Sequence, residues 1–285
     1  MIDLTDLKTI KKLLAGNNLR PTKTLGQNFL LSKKVIDKIS KAAELSRADT
    51  VLEIGPGLGV LTFELAKLAK QVMTVEKDPR LVEVLLKNLK TEKLKKVEVV
   101  NQDILKFSTN KLLATNYKLV ANLPYQITSP VLWKFLFAEK FKPELLVIMI
   151  QKEVAERLVA EPGQMSLLSV LVQFYTHPSV VMQAKKTLFY PQPKVDSTVV
   201  KLKMKKNVLW TDQSSQLKIN EDLFFKLVKT GFWAKRKTLK NNFKALSFSQ
   251  QIISEAFNKI NLSEKSRAQE LSITDWLNLY KVLYN

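Results

Sequence analysis

At 285 residues, with 46% hydrophobic and 25% charged positions, the chain has the composition of a folded protein with one large or two unequal domains, and disordered and low-complexity classes are excluded. With no cysteine and one histidine, His177, it has no disulfides, thiolate metal sites or thiol nucleophiles, and triad hydrolysis and multi-histidine metal chemistry are poor expectations. Forty-six Lys and Arg against 26 Asp and Glu give a formal charge of +20, which points either to a polyanionic partner or to a lysine-rich proteome.

The lead through Lys23 reads as polar and basic, without the apolar core of a signal peptide. No apolar run reaches the roughly 20 residues of a membrane span, so a cytoplasmic protein without membrane contact is expected. Val35, Ile36, Ile39, Ala42 and Ala43 recur at helical spacing. Thr50–Ile54 then reads as a strand running into Gly55-Pro56-Gly57-Leu58-Gly59 and a helix carrying Leu61, Leu65 and Leu68. Further strands are expected at 71–76, 97–100, 119–121 and 145–150, separated by helices at 81–89 and 130–137. This alternation predicts an α/β fold, a parallel sheet covered on both faces. Beyond Lys152 the pattern gives a helix around 167–175 and two β-rich pieces, 179–186 and 197–203, suited to an antiparallel edge. Thr211–Asn220 looks like a linker, and everything after Glu221 is helical. The expected division is a domain 1–208 and a small helical domain 209–285. The tail carries 12 basic and 7 acidic residues, so both parts are basic and neither is expected to bind nucleic acid alone.

Three strand ends carry chemistry. Gly55, Gly57 and Gly59 sit at a strand-to-helix turn where a ligand can approach the backbone, although a glycine turn with no ligand explains them about as well. Glu76, at the end of the next strand, suits the two hydroxyls of a ribose; a solvated strand-end charge is the plainer reading. Asp103, after the third strand, suits an adenine amino group or a helix cap. Together they fit an adenosine-containing ligand.

Asn122-Leu123-Pro124-Tyr125 ends the fourth strand and brings a side-chain amide, a carbonyl and an aromatic ring to the same crevice mouth. That set suits methylation of an exocyclic amine. Two acceptors, the Asn122 oxygen and the Pro124 carbonyl, bind the N–H groups of a poorly nucleophilic adenine N6, and the ring stacks on the extruded base. No strong base is needed, and no metal is expected.

The chain resembles the small-subunit rRNA adenine N6,N6-dimethyltransferases, the KsgA (RsmA) family, from about Leu19 to its end. The resemblance rests on residues 25–30 (LGQNFL), 53–57 (EIGPG), 122–125 (NLPY), 151–154 (QKEV), 193–197 (PKVDS), 235–239 (KRKTL) and 267–270 (RAQE). It departs at Ala121 and Gln126, where the family commonly has Gly and Asn, and in the block at 267–270. The resemblance implies a Rossmann-like doubly wound seven-stranded methyltransferase sheet binding S-adenosylmethionine, followed by a small all-helical C-terminal domain that helps grip rRNA. It implies a donor site of Asn28, Leu30, Gly55, Gly57, Glu76, Asp103 and Asn122, with Phe189 opposite Tyr125 as the second wall around the base. The implied substrate is a pair of adjacent adenines in the 3′-terminal hairpin of 16S rRNA, within an immature small subunit. Lys235, Arg236, Lys237, Lys240 and Lys244 are expected on one helix, its other face apolar, as an RNA phosphate groove or a solvated face. The four tryptophans read as core or domain-interface residues, and His177 as a helix-end cap. A monomer is expected. The alternatives are an Erm-type large-subunit enzyme, which typically has Ile in place of Leu123, and a non-catalytic assembly factor on the same fold.

Overall fold

The structure, a computed structural model, describes residues 2–112, 116–205 and 219–284. Trp210, the 208/209 boundary and residues 211–218 of the expected linker lie outside the described residues.

Short apolar runs form the strands. The chain begins with α1 (Leu7–Gly16), β1 (Phe29–Leu30), α2 (Lys33–Ala42), β2 (Thr50–Ile54), α3 (Val60–Leu68), β3 (Gln71–Glu76), α4 (Pro79–Thr91) and β4 (Val97–Asn101). It continues with β5 (Tyr117–Asn122), α5 (Thr128–Trp133), β6 (Leu145–Gln151), α6 (Lys152–Leu158), α7 (Leu167–Tyr175), β7 (Thr176–Ala184), β8 (Phe189–Tyr190) and β9 (Ser197–Met204). Seven strands make one sheet in the order β4-β3-β2-β5-β6-β9-β7, and β1 and β8 form a separate antiparallel pair. Strands β4, β3, β2, β5 and β6 run parallel, and β9 returns antiparallel on β6. Every residue of β2 is buried, as expected of a strand covered on both faces.

Two apolar clusters flank this sheet. One joins Val35, Ile36 and Ile39 of α2 and Leu61 and Leu65 of α3 to Val51, Val72, Val120 and Val147. The other joins Leu81, Val84, Leu85 and Leu89 of α4 to Phe63, Leu58 and the lead residues Leu4, Ile10, Leu14 and Leu19. The lead is therefore not a plain polar arm. Asp6 caps α1 by accepting from the Thr9 amide, and Ile10 and Leu14, one helical turn apart, are buried.

The described residues divide into two compact units, one of 1–155 with 178–204, the other of 156–177 with 205–285. The expected division assigned 156–177 to the first. The structure instead packs α7 into the helical unit, with α8 (Glu221–Gly231), α9 (Leu239–Asn242), α10 (Gln250–Lys259) and α11 (Ile273–Tyr284). Aromatic packing is the physical reason: Phe174 of α7 stacks on Phe224 of α8 at 4.7 Å, and the Tyr175 hydroxyl donates to Glu221.

Three smaller expectations fail. His177 is an exposed residue of β7, and the residue capping α7 is Thr176. Lys235, Arg236 and Lys237 lie on a turn before α9 rather than on its face, because Thr238 caps that helix. Trp276 is fully buried and Trp133 half-buried, but Trp233 is 88% exposed and belongs to no core.

Candidate active site

The carboxyl ends of β4, β3, β2 and β5, together with the strap 24–30, border a single cleft in the first unit. Such a crevice is where open parallel sheets receive ligands. The cleft collects all eleven donor-site and catalytic residues expected from the sequence: Asn28, Leu30, Gly55, Gly57, Glu76, Asp103, Asn122, Leu123, Pro124, Tyr125 and Phe189.

Glu76 is buried at the end of β3 and anchors the glycine turn. Its Oε2 accepts the Gly57 amide at 3.2 Å, and its Oε1 accepts the Asp78 amide at 2.9 Å. Burial raises its carboxyl above the ordinary value, and those backbone N–H groups pull it back down. Each oxygen keeps a lone pair for a further donor. Gly57 needs to be glycine here: its φ is +58°, and a Cβ would stand 3.2 Å from the Phe29 ring.

Asp103 lies at the cleft and holds a turn; no helix begins at it, so it is not a helix cap. Its Oδ1 accepts the Leu105 amide, which holds the turn after β4, and its Oδ2 lies 2.8 Å from Lys77 Nζ. The Lys77 hydrogen bond and then the Leu105 amide hold its carboxyl below the usual range, so it stays ionised.

The loop after β5 is braced against the strap. Asn122 Nδ2 donates to the Asn28 carbonyl at 3.3 Å, so its Oδ1 is the atom left to accept from a ligand. Gln126 Nε2 donates to the Lys23 carbonyl at 3.4 Å, and Gly26 packs against Gln126 and Pro124 so closely that a Cβ would clash. Glutamine at position 126 thus has a contact of its own. The Pro124 carbonyl accepts from the Ile127 amide at 3.1 Å and retains a second lone pair. The half-buried Tyr125 hydroxyl shares a 2.8 Å hydrogen bond with Ser197, and burial pushes the phenol up, which keeps the ring neutral. Phe189 reaches the cleft from β8, where it pairs with Leu30, but it is only 4% exposed and packs within an apolar cluster.

Two cleft features escaped the sequence reading. Gln27 donates to Asp78 and accepts the Thr22 amide, which ties the strap to the start of α4. Glu53, quoted in the sequence only as part of the 53–57 motif, is a carboxylate inside a largely apolar strand. It is 1% exposed, accepts from the Thr62 hydroxyl at 2.7 Å, and is pushed up to about 8 by burial, with Thr62 opposing the rise and Glu76 adding to it. In the unfolded chain this group ionises near its ordinary 4.5. Between these values the unfolded state has released a proton that the folded state keeps, so stability falls as pH rises through that window. Glu53→Gln keeps an acceptor for Thr62 and removes the penalty. Its melting midpoint should exceed that of the parent by several degrees at pH 8, at roughly 2–4 °C per kcal/mol, and by little at pH 5. A pH-independent difference would contradict the assignment.

S-adenosylmethionine fits this donor set on the structure's own terms. A buried acceptor with spare lone pairs lies at the end of β3, flanked on one side by the glycine turn after β2, whose backbone can be approached closely, and on the other by an ionised carboxylate after β4. Glu76 would hold the ribose, Asp103 the adenine, and Gly55, Gly57, Asn28 and Leu30 the walls.

The comparisons agree with this geometry. The family model described as ribosomal RNA adenine dimethylase matches residues 17–285. The ribosomal RNA small subunit methyltransferase A of Dehalococcoides mccartyi is 45% identical over 272 residues, covering 93% of this chain and 89% of its own. Among solved structures, a dimethyladenosine transferase from Plasmodium falciparum superposes with a TM-score of 0.75 at 30% identity, covering 88% of this chain and 95% of that one. The 23S rRNA methyltransferase ErmE superposes with a TM-score of 0.70 at 27% identity, covering 90% and 99%. A doubly wound sheet whose strand ends gather these residues, and a family match over nearly the whole chain, lead to one conclusion: the chain belongs to the ribosomal RNA adenine dimethylase family.

Proposed function

We propose that this protein dimethylates N6 of two adjacent adenines in the 3′-terminal hairpin of 16S rRNA, within immature small subunits, as a cytoplasmic monomer and without a metal. The family and fold imply S-adenosylmethionine as donor. When bound, it supplies a methyl group activated by a sulfonium. The observation that carries the reading is the Asn122 amide, fixed through its nitrogen by the Asn28 carbonyl so that its oxygen remains for an amine. Asn122 Oδ1 and the Pro124 carbonyl accept the two adenine N–H groups in the first transfer, and one of them accepts the single remaining N–H in the second, which keeps the N6 lone pair from delocalising into the ring. The neutral Tyr125 ring stacks on the base, Phe189 supports its other side, and the Leu123 side chain, 2% exposed, anchors the loop in the core. The proton leaves N6 once the developing ammonium has formed, so no side chain needs to act as a strong base.

The curated relative at 45% identity is named for small-subunit rRNA, and the likeness to ErmE, named for 23S rRNA, is weaker at 27%, which favours a small-subunit substrate. Lys235, Arg236, Lys237 and Lys240 of the helical unit take rRNA phosphates; Lys240 also pairs with Glu264 at 2.6 Å, which makes it the least available of the four. Replacing Lys235, Arg236 and Lys237 together by alanine should flatten the salt dependence of RNA binding by up to about two units of the logarithmic slope. An unchanged slope would remove them from the phosphate contacts. The function itself is tested by transfer of labelled methyl groups to unmethylated small subunits, with large subunits in parallel. Label in small subunits is expected, and label confined to large subunits would favour the Erm-type reaction.

A further inference from the structure

The turn between α8 and α9 points its side chains in two directions. Gly231 sits against Trp276 and Leu239 so tightly that a Cβ would lie 2.4 Å from the Trp276 ring, and Phe232 packs on that ring at 5.8 Å. Asn242, itself buried, donates to the Gly231 carbonyl at 2.6 Å and the Ala234 carbonyl at 3.2 Å. The Trp233 amide closes the helix end on the Thr230 carbonyl, and the Lys237 amide bonds the Ala234 carbonyl. The backbone is thus held from inside at Gly231 and Ala234 and bonded at Trp233 and Lys237. Trp233 is nevertheless 88% exposed, and the next three cations, Lys235, Arg236 and Lys237, are exposed with it. An indole left in water on a braced turn has given up the burial that a tryptophan would gain in a core.

The charge around it identifies the partner. Between Asp222 and Glu255 the chain has seven Lys and Arg and no acidic residue. An apolar protein surface would cover the indole but leave the cations unused, and an anionic bilayer would take both but offers no ring for the indole to stack on. A strand of nucleic acid offers both halves: a base has a π-face for the indole, and its neighbouring phosphates reach the cations. We propose that Trp233 stacks on an unpaired base of the rRNA substrate, while Lys235, Arg236 and Lys237 hold the phosphates beside it. The proposal rests on the reading of this protein as an rRNA methyltransferase and adds to it a base contact in the helical unit. Because the turn is fixed before binding, little ordering is lost when the base docks.

The test compares the parent with Trp233→Ala and Trp233→Phe for binding to unmethylated 16S rRNA and to unmethylated small subunits, with S-adenosylmethionine affinity as the check on folding. Trp233→Ala should weaken RNA binding on the order of 10-fold, with the salt slope and donor affinity unchanged, and Trp233→Phe should recover most of the loss. Tryptophan fluorescence quenched by RNA in the parent should be quenched less in Trp233→Phe. Equal RNA affinity of parent and Trp233→Ala would overturn the stacking role. Weakening for subunits but not for protein-free rRNA would overturn it too, and would assign the indole to a ribosomal protein. Failure of the parent to methylate small subunits would instead overturn the functional reading on which the proposal rests.

Discussion

Asn122→Ala should lower methyl transfer by about 10²–10³-fold while S-adenosylmethionine affinity stays within about threefold of the parent. The split follows from the geometry. Asn122 contributes one of two acceptors to the amine, and acceptors for N–H groups matter most as N6 becomes pyramidal and gains charge. Its link to the donor side is the single 3.3 Å bond to the Asn28 carbonyl, which a water can replace. Asn122→Asp is the sharper companion, since it keeps an acceptor but loses the Nδ2 donor to Asn28. Turnover measured at saturating donor, together with donor affinity by calorimetry, checks both. Near-normal turnover in Asn122→Ala would remove the residue from the reaction.

Glu76→Ala should show the opposite pattern, with donor affinity reduced about 100-fold and a smaller effect on turnover at saturating donor. Two hydroxyl hydrogen bonds to the Glu76 carboxyl would be lost, each worth roughly 1–1.5 kcal/mol. The Gly57 and Asp78 amides would also lose their buried partner, which loosens the glycine turn. Glu76→Gln, which keeps one acceptor oxygen, should fall between, and calorimetric titration of all three proteins gives the order. An unchanged dissociation constant in Glu76→Ala would contradict the ribose assignment.

The parallel sheet was legible because its strands are short apolar runs ending in conspicuous residues. Glycines, Glu76, Asp103 and Asn122 each mark where a strand reaches the crevice, and the cleft gathers them. The first helix was hidden because Lys8, Lys11 and Lys12 dilute the spacing of Ile10 and Leu14, and its burial depends on α4, far along the chain. The boundary near 156–177 was obscured for a similar reason. Nothing local to Phe174 and Tyr175 says that their partners are Phe224 and Glu221. Trp233 shows the converse. Its side chain suggests burial, and only the tertiary bracing of Gly231 and Asn242 turns it outward. Glu53 was legible in principle, since a carboxylate within Thr50–Ile54 has no ordinary reason to be there.

The reaction product tests the proposed activity most directly. Unmethylated small subunits incubated with the enzyme and S-adenosylmethionine should yield N6,N6-dimethyladenosine at two adjacent positions of the 3′-terminal hairpin, four methyl groups per particle, read by mass spectrometry of the mapped rRNA fragment. Particles that bind the enzyme tightly but carry no dimethyladenosine, or that carry it only outside that hairpin, would contradict it.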